Sequence, residues 1–373
     1  MITSNSKNRK KGLIAVVFGT RPCIIKQSPI IHALTRKKAR FYIIHTGKHY
    51  TYNMERLFIE SLGLPEPKYY LSVGSGTHAY QTAEIIKRAE KVLLAERPRV
   101  VLVQGDTNTT LAVSIACAKI NGIKLGHVEA GLRSYDRTMP EEINRILTDH
   151  ASDILFAPTA KSKDLLLKEG VAEEKVWVTG NTIVDAVKEN LLIARKKSDV
   201  ISRYGLQPGN FFLMTLHRQE NVIDNKRLKG VIGAINSLSE EMGIDIIYPA
   251  HPRSRRNIER LRIKTSKRFK LTEPIGYFDF LALIEASRLI LTDSGGVQEE
   301  ACILNRPCVT LRENTERPET IEIGANRLAG VKYNTIRPAV KIMLGRDKKW
   351  PNPFGDGKAG ERIAQLALET ADF

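Results

Sequence analysis

Cysteine is scarce in this chain. There are four in 373 residues, Cys23, Cys117, Cys302 and Cys308. Each sits in or beside an apolar segment and none forms a CxxC pair. No disulfide framework is implied; buried free thiols in a reducing, cytoplasmic compartment are expected. Aromatic residues make up 6% of the chain. No stretch interleaves them with basic residues, so no nucleic-acid partner is expected. Long hydrophobic runs are missing too. The first, residues 13–18, is too short for a signal-sequence core or a membrane span, and no later run could cross a bilayer. No strand-like segment leads into GxGxxG, so no dinucleotide cofactor is expected. No HExxH, CxxC or Asp/His cluster calls for a metal. Internal repeats and low-complexity tracts are absent as well.

What is present describes an ordinary globular protein, 42% hydrophobic and 27% charged. Its length allows two domains. The formal charge of +17, from 58 Lys and Arg against 41 Asp and Glu, suits an anionic ligand. The basic residues are dispersed apart from Lys7, Arg9, Lys10 and Lys11 and the group Arg253, Arg255 and Arg256. Residues 1–11 read as a loose polar tail.

Apolar runs of strand length fall at residues 13–18, 41–45, 100–104, 124–128, 154–157 and 176–178. Helical spacing fills the gaps between them, notably at 24–34, 77–96, 111–120 and 143–150. Residues 194–210 lose the periodicity, end in Pro208-Gly209, and read as a hinge. A second series of strands follows at 211–215, 244–248, 269–271, 289–292 and 308–311, with helices at 228–238, 254–263, 278–286 and 297–304. Residues 359–369 form a last amphipathic helix. Strands alternating with helices in both halves predict an α/β protein of two Rossmann-like, doubly wound domains around a central cleft. The predicted domains are residues 1–193 and 211–354, with a closing segment at 355–373.

Polar residues gather where strands end, which is where open α/β sheets bind ligands. The most telling stretch is Asp293-Ser294-Gly295-Gly296, after the strand at 289–292 and before a helix. Such a turn aims free N–H groups at an anion, and glycines let a phosphate approach the backbone. Glu300 lies within that helix and suits a ribose diol, while Arg317 offers a fork to a phosphate. Arg21 and Lys26 place two cations at another helix N-terminus. Asp106, Glu129 and His217 each follow a strand, although Asp106 could equally cap the next helix. Glu141 and Glu142 follow Pro140, where acids also serve as ordinary first-turn residues.

Eight segments occur in order: Gly19-Thr20-Arg21-Pro22, Gln104-Gly105-Asp106-Thr107, His127-Val128-Glu129-Ala130-Gly131-Leu132-Arg133, Pro140-Glu141-Glu142, Thr179-Gly180-Asn181-Thr182, Leu216-His217-Arg218, Thr292 through Glu300, and Thr315-Glu316-Arg317-Pro318-Glu319. Together they resemble the non-hydrolysing UDP-N-acetylglucosamine 2-epimerases, over residues 13 to about 330. The resemblance implies the glycosyltransferase-B fold, a last helix that crosses back to the first domain, a homodimer, and interconversion of UDP-GlcNAc and UDP-ManNAc for glycan synthesis. It further implies that Ser294, Gly295 and Gly296 hold the diphosphate with Arg21, and that Glu300 takes the ribose. Lys26, Phe280 and Arg317 match positions lining the nucleotide site, and Asp106, Glu129, Glu141 and His217 match the catalytic set. Cys23 stands where the family usually has Glu. Lys48 and Tyr80 depart from the positions that bind a second, activating UDP-GlcNAc in bacterial members, so weak or absent activation is expected. A hydrolysing epimerase, a UDP-sugar glycosyltransferase and a basic nucleic-acid-binding protein are the alternatives.

Overall fold

The computed structural model describes residues 12–47 and 52–372, without the side chains of 52–56, 219, 220 and 253. The basic tail, Lys48 and His49 lie outside the described residues. The chain divides into two compact units, residues 1–186 with 354–373 and residues 187–353.

The first unit is built on seven strands: β1 (Ile14–Phe18), β2 (Phe41–His45), β3 (Tyr69–Tyr70), β4 (Val100–Gln104), β5 (Lys124–Val128), β6 (Ile154–Ala157) and β7 (Val176–Val178). They run in the order β3-β2-β1-β4-β5-β6-β7, every pair parallel. Ile14 to Phe18 are each at most 1% exposed. Continuous apolar runs of this kind mark strands covered by helices on both faces. Local signals start the helices. Pro22 opens Arg21–Arg36 and Pro140 opens Pro140–Ala151, while Thr77, Thr107 and Thr159 accept N-cap hydrogen bonds.

The second unit holds β8 (Phe211–Thr215), β9 (Asp245–Pro249), β10 (Phe269–Thr272), β11 (Leu289–Thr292), β12 (Cys308–Thr310) and β13 (Asn326–Leu328). Their order is β10-β9-β8-β11-β12-β13, again all parallel. Phe211, Phe212, Leu213 and Met214 are fully buried. Each contributes about 1.5–3 kcal/mol by leaving water.

The last helix, Ala359–Asp372, belongs to the first unit and packs on Arg21–Arg36. Asp185 accepts from the N–H groups of Ala359 and Gly360 at 3.3 and 2.9 Å, closing the helix start. Arg36 pairs with Glu361 at 2.7 Å.

The helix Thr182–Lys197 runs on through the first residues expected to be hinge, and Val200–Arg203 adds a short helix. The unit division falls earlier, between Ala186 and Val187. Two edge strands, β3 and β13, were not expected. They have only two and three residues, too few for the period-2 pattern to show.

Candidate functional site

In each unit the strand order reverses once, between β1 and β4 and between β8 and β11. At such a switch point the crossover helices leave to opposite faces, and a crevice opens at the strands' carboxyl ends. The predicted residues concentrate at both places.

In the first unit, β1 leads into Gly19-Thr20 and the helix Arg21–Arg36. Thr20 makes no side-chain cap, and the first turn holds no acid. Its positive end therefore lacks an anion of its own. Arg21 is exposed, with its guanidinium 5.7 Å from the centre of the Phe58 ring. Lys26 is buried one turn on. Its Nζ reaches Glu129 Oε1 at 2.7 Å, so it meets a catalytic candidate of its own unit.

Glu129, the residue after β5, is in an unusual state. Its φ is +71°, a left-handed conformation that costs a non-glycine residue on the order of 1 kcal/mol. Its neighbours enforce the pose: Lys26 holds one carboxylate oxygen and Gln104 Nε2 donates to the other. The backbone N–H donates to Phe156 O at 3.1 Å. The strained backbone thus sits on a buried carboxylate at the switch point.

Asp106 does not cap the helix Asn108–Ala118; Thr107 does, accepting from Thr110 N. The capping alternative for Asp106 is thereby removed. Its carboxylate instead receives Arg145 Nη2 at 2.5 Å. Arg145 donates from Nη1 to Glu142 Oε2 at 2.8 Å. Glu142 also accepts from Ser134 N, Ser134 Oγ and Tyr135 N, each at 2.9 Å, and is 1% exposed. Glu142 is thus a structural anchor, while its neighbour Glu141 remains half-exposed at the helix start. Sequence reasoning missed Arg145 and Gln104. The signal for Arg145 was its position, four residues after Glu141 and three after Glu142, on the same helical face.

A buried network props both carboxylate loops. His127 Nδ1 lies 2.6 Å from Asp149 Oδ1 and Nε2 lies 2.9 Å from Gly105 O. Arg133 donates to Asp149 at 2.7 Å and to Glu169 at 2.8 and 2.6 Å. Asp149 also accepts from Gly131 N at 3.2 Å. The chain turns there at φ +80°, and a Cβ would stand 2.4 Å from Ser162 O, so only glycine fits. One end of this network fixes the residue before Asp106, and the other fixes the turn after Glu129. Cys23 lies behind the site with Sγ 3.8 Å from Gln104 O; burial pushes its pKa up to about 11, which keeps it a neutral thiol. All four cysteines are free and buried.

In the second unit, β11 runs through Asp293 into the helix Gly295–Ile303. Both glycines lie in the first helical turn rather than before it. Ser294 is the N-cap residue, makes no side-chain cap, and no acid occupies the first turn. Asp293 is fully buried and ties the neighbouring loop to this turn. It accepts from His217 N at 2.9 Å, Arg218 N at 3.1 Å and Asn221 Nδ2 at 2.8 Å. That brings His217 beside Ser294, as two switch-point loops should be. Burial lowers the His217 pKa below its ordinary 6.5; Asp293 opposes this, and His251 and Arg218 reinforce it.

Arg317 is buried and donates from Nε to Glu299 and from Nη1 to Glu316 O at 3.2 Å. Part of its fork is therefore committed to the protein. Glu316 receives Arg218 at 2.5 Å and Arg312 at 2.8 Å. A Cβ on Gly295 would lie 3.0 Å from Glu316 Oε1 and 3.7 Å from Arg317 Cζ, so the glycine lets this charged layer approach the helix end. Glu300 is buried at the sixth helical position, and burial together with Glu300 pushes the Tyr277 phenol pKa well up. Phe280 packs half-buried against the core between the sheet and its helices.

The family model described as UDP-N-acetylglucosamine 2-epimerase matches residues 32–368. UDP-N-acetylglucosamine 2-epimerase of Methanocaldococcus jannaschii is 51% identical over 95% of this chain and 98% of its own. The enzyme of that name from Methanococcus maripaludis is 49% identical over 95% and 98%. The crystal structure of the M. jannaschii UDP-GlcNAc 2-epimerase in complex with UDP-GlcNAc and UDP superposes with a TM-score of 0.89, covering 95% of this chain and 99% of that one. Two parallel sheets flanked by helices are the glycosyltransferase-B-like architecture expected from the sequence.

Proposed function

Because this chain belongs to the UDP-N-acetylglucosamine 2-epimerase family, whose members are isomerases, we propose that it interconverts UDP-N-acetylglucosamine and UDP-N-acetylmannosamine by eliminating and re-adding UDP. The observation that carries the reading is the pair of carboxylates, Asp106 and Glu129, on the ends of adjacent strands β4 and β5, each held by a cation.

The chemistry asks for such a set. The C2 hydrogen of the sugar has no neighbouring carbonyl and resists removal. Departure of UDP leaves an oxocarbenium-like C1, which makes the C2–H acidic. Loss of that proton gives 2-acetamidoglucal. Return of UDP with protonation on the other face inverts C2. Asp106, Glu129 and Glu141 supply groups for the proton transfers. Lys26 and Arg145 hold two of them in place. The leaving diphosphate is assigned to the Ser294-Gly295-Gly296 turn with Arg21 and Arg317, where N–H groups and guanidinium charge stabilise it. Glu300 is assigned the ribose, Phe280 a nucleotide contact, and His217 the catalytic task of balancing charge on the leaving phosphate. Among the described residues no helix is long and apolar enough to cross a membrane. A cytoplasmic homodimer is the proposed working form.

Pure protein incubated with UDP-GlcNAc alone, in EDTA, tests the reading. UDP-ManNAc at equilibrium supports it. Free ManNAc with UDP would identify a hydrolysing epimerase, and no reaction without a sugar acceptor would identify a transferase.

Two binding predictions arise here. Arg317→Ala should weaken UDP binding by about 1.5–3 kcal/mol, the worth of a charge-assisted hydrogen bond. It should also lower the melting temperature, since Glu299 loses its guanidinium. Arg317→Lys separates the effects: it restores a charge to Glu299 without the bidentate fork. Calorimetric UDP affinity unchanged in both variants would remove Arg317 from the phosphate.

The second concerns pH. In the free protein the surroundings of His217 push its pKa below the ordinary 6.5. A bound diphosphate favours the imidazolium, so binding takes up a proton as pH falls towards the free-state pKa. UDP affinity relative to His217→Gln should therefore rise between pH 8 and pH 6, by on the order of tenfold. Parallel pH profiles for the two proteins would show that the ring does not face the diphosphate.

A further inference from the structure

The far end of the second sheet carries a charge pattern that epimerisation does not use. Arg288 precedes β11 and Arg306 lies two residues before β12. The register pairs Ile290 with Cys308, so Arg288 and Arg306, each two residues upstream of that pair, lead into neighbouring parallel strands. Parallel strands lie about 4.8 Å apart, which brings the two bases into one row. The row continues to β13. There the register pairs Cys308 with Asn326, placing Gly324 beside Arg306. Arg346 lies over that glycine, with Nη1 at 1.8 Å from the point a Cβ would occupy. Lys348 follows Arg346 by two residues on the same segment.

Acidic relief is thin. Glu285 acts on Arg306, but it is already engaged by Arg195, whose Nε lies 3.0 and 3.2 Å from its two oxygens. Asp347, between Arg346 and Lys348, is exposed. Arg306 Nε is buried and has no hydrogen-bond partner among the described residues. A buried guanidinium N–H normally has an acceptor, so this row of cations holds a donor that no group among the described residues uses. Burial lowers the Arg306 pKa, and desolvation, Arg306 and Arg288 lower that of Lys348; both directions are those of crowded, partly dehydrated like charges.

We propose that Arg288, Arg306, Arg346 and Lys348 form an anion site for a small ligand bearing two or more phosphate charges, at the opposite end of the sheet from the Ser294 turn. One negative charge would leave the row unbalanced, and a guanidinium fork matches phosphate oxygens in pairs. The site also gives part of the +17 excess a use.

The chain has two tryptophans, Trp177 and Trp350. Trp350 lies two residues from Lys348, with its indole N–H held to Cys302 O at 3.0 Å. In Trp177→Phe protein it is the sole indole reporter. Inorganic pyrophosphate is titrated into this protein with the nucleotide site saturated by UDP. The expected result is a saturable change in Trp350 emission at sub-millimolar pyrophosphate, weakening as salt rises. Arg306→Gln and Lys348→Gln should each weaken it by about tenfold. UDP affinity and UDP-GlcNAc turnover should stay at the reference values. Without ligand, neither substitution should lower the melting temperature, since each removes a repelling charge. The proposal is overturned by no saturable response in UDP-saturated protein, by equal responses in the variants, or by a response to duplex DNA alone.

Discussion

Asp106→Asn and Glu129→Gln should each lose about 10²–10⁴-fold in turnover, the typical worth of a general acid or base. Their folding should respond differently. Asp106 is part-exposed and Thr107 keeps the helix cap, so Asp106→Asn leaves Arg145 with Glu142 and should barely shift the melting point. Glu129→Gln leaves Lys26 buried beside a neutral amide, in a position already strained at φ +71°. It should cost stability as well as rate. Glu141→Gln, half-exposed at a helix start, should lose rate with the least change in folding. Thr107→Ala gives the opposite pattern: loss of a cap, roughly 1 kcal/mol, with turnover kept. Rates and melting curves on the four variants distinguish the roles. Full turnover in Asp106→Asn would transfer that carboxylate from catalysis to scaffold.

Asp149→Ala has the second large effect, on stability. Asp149 is 1% exposed and takes hydrogen bonds from His127, Arg133 and Gly131 N. Removing it takes the acceptor from His127, Gly131 N and one arm of Arg133 inside the protein and leaves Arg133 with Glu169 alone, a break in a buried charged network that typically costs about 3–5 kcal/mol. Chemical denaturation should show that loss at neutral pH. The pH dependence has a defined sign. Burial opposes the charge on Asp149, yet His127 and Arg133 hold its pKa below the usual 3.8. A depressed acid stabilises the fold above its unfolded pKa and loses that contribution as pH falls through the folded value. The wild-type advantage over Asp149→Ala should thus be full near neutrality and shrink in strong acid. An advantage that grew on acidification would contradict a charged Asp149.

The strands were legible because parallel strands buried on both faces read as unbroken apolar runs. Phe41–His45, Val100–Gln104 and Phe211–Thr215 fall where the sequence places them. β3 and β13 were not, because two- and three-residue edge strands carry no pattern. The loops at strand ends were legible as candidate positions, since small and polar residues interrupt the apolar runs there. What each side chain touches was not. Asp106 looked like a cap until Thr107 was seen to hold that place. Lys26 was expected at the nucleotide, yet it meets Glu129, a contact 103 residues apart that no local pattern encodes. Arg145 lay on a predicted helix, but its link to Asp106 depends on how that helix packs beside the end of β4. The left-handed backbone of Glu129 is equally invisible, because glutamate does not favour that conformation. Lys48, expected to bear on activation by a second UDP-GlcNAc, lies outside the described residues; Tyr80 is exposed on the helix His78–Glu96.

The most direct test of the central claim is the fate of the C2 hydrogen. UDP-GlcNAc is incubated with the protein in deuterium oxide until epimerisation is partial, and both sugars are examined by NMR. If UDP leaves and the carboxylates move the C2 proton, UDP-ManNAc carries deuterium at C2, one atom for each epimerisation, and deuterium enters recovered UDP-GlcNAc as the reaction reverses. UDP-ManNAc that forms while retaining its original C2 hydrogen would contradict proton transfer to solvent-exchanging carboxylates.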